Sequence, residues 1–205
     1  VDDVWERRFL STVEMVSRIK VITHLRAKLD ARAPRAQTIL RPSTRGPCEV
    51  IGIGVSTGGP AALSELFSAM PRTFPIPILL VIHIAEPFGL ALADWLTAQT
   101  GVSVRYARHG EALARSTTTH VYMAPPNHHL VLRDGRLLIS DAPERHSCRP
   151  SVDVLFESLV ARKDRATACL LTGMGRDGAE GLLAVRRAGG LTIAQDEATS
   201  VVFGM

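Results

Sequence analysis

From Cys48 onward, short continuous apolar runs alternate with stretches whose apolar residues recur at helical spacing, and few folds accommodate that alternation. Residues 49–55 are apolar and β-branched, and a glycine-rich turn follows them. The next stretch carries Leu63, Leu66, Phe67 and Met70 on one helical face. Residues 76–84 predict a buried strand, and the helix after it presents Phe88, Leu92 and Trp95. Residues 102–107 and 119–123 predict further strands. Asp134-Gly135 between 130–132 and 137–139 signals a hairpin. Ser151 is placed to cap a helix carrying Val152, Leu155, Phe156 and Leu159. Residues 166–172 predict a strand, 179–188 a helix ended by Gly189-Gly190, and 191–195 a last strand. Strands that are apolar throughout, alternating with amphipathic helices, imply a mostly parallel sheet covered on both faces. The expected fold is therefore a doubly wound, three-layer α/β/α domain over residues 48–205.

What precedes that domain reads differently. Residues 1–30 predict a helical segment, with Trp5, Phe9, Val13 and Val16 at helical spacing. Residues 31–47 form a Pro- and Arg-rich linker in which Pro34, Pro42 and Pro47 prevent a continuous helix. That linker also explains the charge. The chain carries 24 Lys plus Arg against 20 Asp plus Glu, a net charge of +4. Arg32, Arg35, Arg41 and Arg45 account for the whole excess, so no folded basic patch is implied. Few aromatic residues are available for base stacking, and nucleic acid is not an expected partner. No run approaches the ~20 apolar residues of a membrane span, and residues 1–8 lack a signal-peptide core. Three scattered cysteines, Cys48, Cys148 and Cys169, fit reduced thiols in a cytoplasmic protein. The helix at the start and the apolar Val201-Val202-Phe203-Gly204-Met205 at the end suggest a piece of a longer chain.

In a doubly wound sheet, function collects beyond the carboxyl ends of the strands. Three strand ends carry reactive residues. The first is Gly54-Val55-Ser56-Thr57-Gly58, a G-x-S-x-G motif between strand and helix, where it holds a serine oxygen exposed at a sharp turn. Two duller readings stand beside it. Ser56 could simply cap the helix, or Gly52, Gly54 and Gly58 could form a loose dinucleotide loop, although no acidic residue closes the following strand. The second is His83, at the end of the next strand, where adjacent βα units bring it towards Ser56. Taken singly, it reads as a satisfied core histidine. The third is Asp177 in the turn Thr172-Gly173-Met174-Gly175-Arg176-Asp177-Gly178. Its dull reading is a helix N-terminal acid; the functional one is a buried carboxylate accepting from His83 Nδ1–H. Asp141, Asp153 and Asp196 compete for that role but lack such a turn. The remaining histidines fall in loops or in the first helix, and His128-His129 lacks a third metal ligand. Together Ser56, His83 and Asp177 make a Ser–His–Asp hydrolase site in an order unlike that of α/β-hydrolases. No metal or cofactor is expected.

These residues resemble the catalytic domain of the chemotaxis protein-glutamate methylesterase (CheB) family. The resemblance covers residues 50–205. It rests on Ile51-Gly52-Ile53-Gly54-Val55-Ser56-Thr57-Gly58-Gly59-Pro60, Val81-Ile82-His83 and Met123-Ala124-Pro125-Pro126-Asn127-His128-His129. Arg149-Pro150-Ser151-Val152-Asp153, the Thr172–Gly178 turn and Ala194-Gln195-Asp196-Glu197-Ala198-Thr199-Ser200 complete it. The resemblance implies Ser56 as nucleophile, His83 as general base and Asp177 as the carboxylate that orients it. Backbone N–H groups of Thr57, from the motif, and Met174, from the family, are the candidate oxyanion hole. It implies methyl esters of glutamate on the cytoplasmic helices of chemoreceptors as substrate, with deamidation of receptor glutamine as a second activity. It also implies a receiver domain joined through residues 1–47, and a closing helix beyond Met205. A reading of a different class keeps the fold but makes it a non-catalytic module binding receptors or nucleotide. His83 is followed by Ile84-Ala85-Glu86-Pro87, where the family commonly has Met-Pro-Pro, so Glu86 is expected beside the site.

Overall fold

The computed structural model describes residues 46–113 and 118–205. The helix expected in 1–30, and nearly all of the linker, lie outside the described residues. In chain order the elements are β1 (Val50–Val55), α1 (Gly59–Ala69), β2 (Ile78–Ile82), α2 (Glu86–Thr100), β3 (Ser103–Tyr106), β4 (Glu111–Ala112) and β5 (His120–Met123). There follow β6 (His129–Arg133), β7 (Arg136–Ser140), α3 (Val152–Leu159), a 3-10 turn at Val160–Arg165, β8 (Ala166–Leu170), α4 (Ala179–Arg187) and β9 (Leu191–Ala194). Six strands form one sheet in the order β3-β5-β2-β1-β8-β9, and every pairing in it is parallel. The order reverses at β1, which pairs with β2 on one side and β8 on the other. A crevice opens beyond the strand ends at such a reversal.

The strands are apolar throughout because both faces are covered. Leu79 and Val81 of β2 join a core with Val152, Leu155, Phe156 and Leu159 of α3 and Val185 of α4. Ile78, Leu80 and Ile82 point the other way and pack with Leu63 and Phe67 of α1 and Leu92 and Leu96 of α2. The expected three-layer α/β/α fold is present. Asp134 and Gly135, both at positive φ, close the hairpin between β6 and β7. With β4 these strands make a separate three-stranded antiparallel sheet. Among the described residues no helix is long and apolar enough to cross a membrane.

Two helix faces differ from expectation. In α2 the buried positions are Gly89, Leu92, Ala93 and Leu96, while Phe88 is 62% and Trp95 44% exposed. Small residues turn the helix: Gly89 lies directly under the Tyr106 hydroxyl, which a side chain there would meet. Periodicity read from bulky residues selects the wrong stripe when glycine and alanine make the close contact. In α1, Leu63 and Phe67 are buried but Leu66 is partly exposed.

The glycines of β1 have a packing role. A Cβ at Gly52 would lie 2.7 Å from Leu159 Cδ1, and one at Gly54 would overlap Val152. Helix α3 therefore lies flush on β1 because two side chains are absent. Alanine in a strand interior normally gains ~0.5–1 kcal/mol over glycine. Gly54→Ala should instead lose about 1–3 kcal/mol through overpacking, because its β-branched neighbour Val152 cannot swing away. Gly52→Ala should lose less, since its tightest contact is the flexible end of Leu159, with the Phe156 ring further off at 3.2 Å. Urea unfolding of both variants checks this order, and an unchanged midpoint for Gly54→Ala would contradict it.

Candidate active site

Three strand ends at the reversal carry the candidate residues, and ladder hydrogen bonds continue into two of them. Ser56 N–H donates to Thr172 O at 3.0 Å, extending the β1–β8 pairing. His83 N–H donates to Val55 O at 3.2 Å, extending β1–β2. The backbone of both residues is thus an extension of the sheet rather than free loop.

The turn after β1 decides between the readings of Ser56. Helix α1 is capped by Gly58 at φ +83°, with no side-chain cap. The chain turns through Gly59 N–H donating to Ser56 O at 2.8 Å. The serine oxygen is therefore not used as a cap. Because Gly52 and Gly54 face α3, the dinucleotide-loop reading loses two of its three glycines. On the other strand end, Gly173 has no room for a side chain: its Cβ would lie 2.7 Å from Ser56 Cβ. The Thr172–Gly178 turn consequently passes directly over Ser56. Thr172 Oγ1 locks this arrangement by donating to Thr57 O at 2.9 Å and accepting from Val202 N–H at 3.0 Å. Met174 projects outward, 73% exposed. Among the described residues, neither the Thr57 nor the Met174 amide donates a hydrogen bond within the protein.

His83 and Asp177 are brought together. His83 Nε2 lies 2.8 Å from Asp177 Oδ2, with the imidazole 18% and the carboxylate 3% exposed. The nitrogen facing Asp177 is Nε2, not the expected Nδ1: α3 holds the carboxylate where the outer ring nitrogen reaches it. Asp177 also sits at the N-terminus of α3, where the first amides find no acceptor within the helix itself. Its Oδ2 accepts from Val152 N–H at 2.7 Å, and its Oδ1 from Ser151 Oγ at 2.7 Å and Asp153 N–H at 3.1 Å. Burial pushes the carboxyl up, but the hydrogen bonds from His83, Ser151 and the two amides outweigh it and hold Asp177 below the usual carboxylate range.

Sequence reasoning saw only half of Ser151. It caps α3, accepting from Val154 N–H at 3.3 Å, and with the same oxygen donates to Asp177. Its own amide donates to Nδ1 of His129 at 3.1 Å, and His129 Nε2 donates to Pro143 O at 3.1 Å. His129 is fully buried at the start of β6, not in a loop as expected. The competing carboxylates point elsewhere. Asp141 is exposed beside His128, Asp196 accepts from Thr199, and Asp153 accepts from Gly181 N–H at 2.6 Å. Glu86 opens α2 and accepts from Asn127 Nδ2 at 3.4 Å. Cys148, which no sequence signal singled out, lies close to His83 and Asp177.

Comparison with known proteins is consistent with this geometry. Residues 51–205 match the family described as CheB methylesterase. A protein-glutamate methylesterase/protein-glutamine glutaminase 2 of Anaeromyxobacter dehalogenans (strain 2CP-C) is 45% identical over 201 residues, covering 97% of this chain and 56% of that protein. A protein-glutamate methylesterase/protein-glutamine glutaminase of group 3 operon from Rhizobium meliloti (strain 1021) is 43% identical, covering 97% of this chain and 55% of that one. The chain spans about half the length of the curated relatives it matches. The crystal structure of the Thermotoga maritima CheB methylesterase catalytic domain superposes with a TM-score of 0.71 at 34% identity, covering 78% of this chain and 86% of that one. With a matched family over three-quarters of its length and a shared fold, the chain belongs to the CheB methylesterase family.

Proposed function

We propose that this chain is a serine hydrolase that cleaves glutamyl methyl esters on chemoreceptors, with Ser56 as nucleophile, His83 as general base and Asp177 as the carboxylate that orients it. The observation that carries the reading is the His83–Asp177 pair, its carboxylate buried, at the strand-order reversal beside a serine whose oxygen caps nothing. Membership of the family supplies the substrate class, through relatives named as methylesterases and glutaminases.

Asp177 accepts a hydrogen bond from His83 Nε2–H and so holds the imidazole in one tautomer. Nδ1 is then the nitrogen with a lone pair for the Ser56 proton. Ser56 Oγ attacks the ester carbonyl, and the imidazolium that forms is stabilised by the buried carboxylate. Collapse of the tetrahedral intermediate expels methanol, which takes its proton from His83. Water, deprotonated by the same nitrogen, then hydrolyses the acyl-enzyme to glutamate. The unpartnered Thr57 and Met174 amides are the donors we assign to the oxyanion, a role worth roughly 2.7–4 kcal/mol per donor in comparable sites. A glutamine side chain would follow the same route with ammonia as leaving group, which is the basis for a second, deamidating activity. The extra length of the relatives supports a further domain, which we assign as a receiver joined through residues 1–47, acting in the cytoplasm.

Ser56→Ala should reduce methanol release from methyl-labelled receptor to background. Asp177→Asn should lower turnover by about 10⁴-fold, because an amide leaves His83 in the wrong tautomer. A wild-type rate for Asp177→Asn would remove it from the mechanism. Ser151→Ala tests the support beneath Asp177 and should cost about 1.5–3 kcal/mol near neutral pH. The folded Asp177 pKa lies below its unfolded value of ~3.9. The part of this cost carried by the carboxylate is therefore full above that value and is lost as pH falls through the folded one. Only the cap contribution, about 1 kcal/mol, should remain there. Chemical unfolding of both proteins across pH reads the difference, and a pH-independent gap would contradict it.

A further inference from the structure

We propose that His83, Cys148 and Asp177 form an inhibitory site for a thiophilic divalent cation, with Zn²⁺ the best match to the ligand set. A ring nitrogen of His83, Cys148 Sγ and a carboxylate oxygen of Asp177 all lie within 4.8 Å of one another. Imidazole, thiolate and carboxylate are the side chains that bind zinc, at about 2.0–2.3 Å. Tetrahedral geometry at those lengths needs ligand atoms about 3.3–3.8 Å apart, so the cluster closes on an ion by side-chain movement alone. A water molecule completes the shell, and the partly exposed edge of His83 gives the ion a way in.

The thiol is held in place by a built turn. Arg145 and Cys148 exchange both backbone hydrogen bonds, at 3.1 and 2.9 Å, around His146 and Ser147 at positive φ. That turn is fastened to the helices behind the site. Arg145 donates to Glu157 of α3 at 2.7 Å and to Glu180 of α4 at 2.8 Å, and His146 Nε2 lies 3.2 Å from Asp153 Oδ2. Cys148 is therefore presented to the catalytic pair from a fixed backbone, as a metal ligand must be.

Inhibition follows from the tautomer, and this consequence rests on the reading of His83 as the base. An ion between His83 and Asp177 takes the place of the Nε2 proton. That proton moves to Nδ1, where it occupies the lone pair needed for the Ser56 proton. Cys148 binds as thiolate and releases its proton to solvent, so one proton leaves for each ion bound. Asp177 exchanges its bond to His83 for a bond to the metal and keeps its amide donors.

The experiment uses the full chain with two readouts. Co²⁺, a spectroscopic substitute for Zn²⁺, should give a thiolate-to-cobalt charge-transfer band that persists in Cys48→Ser and Cys169→Ser and disappears in Cys148→Ser. Zn²⁺ should inhibit methanol release reversibly with a chelator, and Cys148→Ser should raise the inhibitory concentration by about tenfold or more, each protein being scaled to its own metal-free rate. Absence of the cobalt band, or its survival in Cys148→Ser, overturns the site. Equal inhibition of wild type and Cys148→Ser overturns it as well. A band lost only in Cys148→Ser, in a protein that releases no methanol, supports the metal site while the esterase reading falls.

Discussion

A carboxylate buried at the N-terminus of a helix is the constraint around which this domain is arranged. Asp177 is nearly inaccessible to water, and an ionised group there is tolerable only if its oxygens are satisfied. Helix α3 supplies two amides and a serine hydroxyl, and the helix dipole favours the charge. The imidazole of His83 completes the set. One interaction therefore ties together the end of β2, the turn after β8 and the start of α3, which packs on one face of the sheet. Placing those pieces correctly is largely what the parallel strand order accomplishes.

The layered fold was legible because its signals are collective. Nearly every strand and helix expected after Cys48 is present, since a strand buried on both faces and a helix with one apolar stripe leave strong, redundant patterns. The exceptions are instructive. The α2 face was misread because Gly89 and Ala93, not the bulky Phe88 and Trp95, make the contact with the sheet. A stripe defined by the absence of side chains carries little weight in a reading based on hydrophobic size.

The candidate site was legible in its residues but not in its wiring. Ser56 stood out through its G-x-S-x-G turn, His83 as a polar residue closing an apolar strand, and Asp177 through the glycine-rich turn that holds it. That Asp177 is cradled by α3 was invisible, because Ser151 serves two partners with one oxygen and the sequence shows only the capping role. The orientation of the imidazole depends on how the chain leaves β2, which no spacing rule encodes. Cys148 was hidden for a further reason: its proximity to His83 comes from a turn anchored by Arg145 and His146 to α3 and to the more distant α4.

The bare face of β1 reaches beyond packing. Val152, which rests against Gly54, is also the residue whose amide binds Asp177. The gap between strand and helix is thus a ruler for the chemistry, with Ser56 fixed to one edge and the carboxylate cradle to the other. Any added bulk on that seam would move the carboxylate cradle away from Ser56 and His83, whose backbones stay with the sheet. On the mechanism proposed above, a side chain at position 54 would therefore disturb the reaction as well as the core.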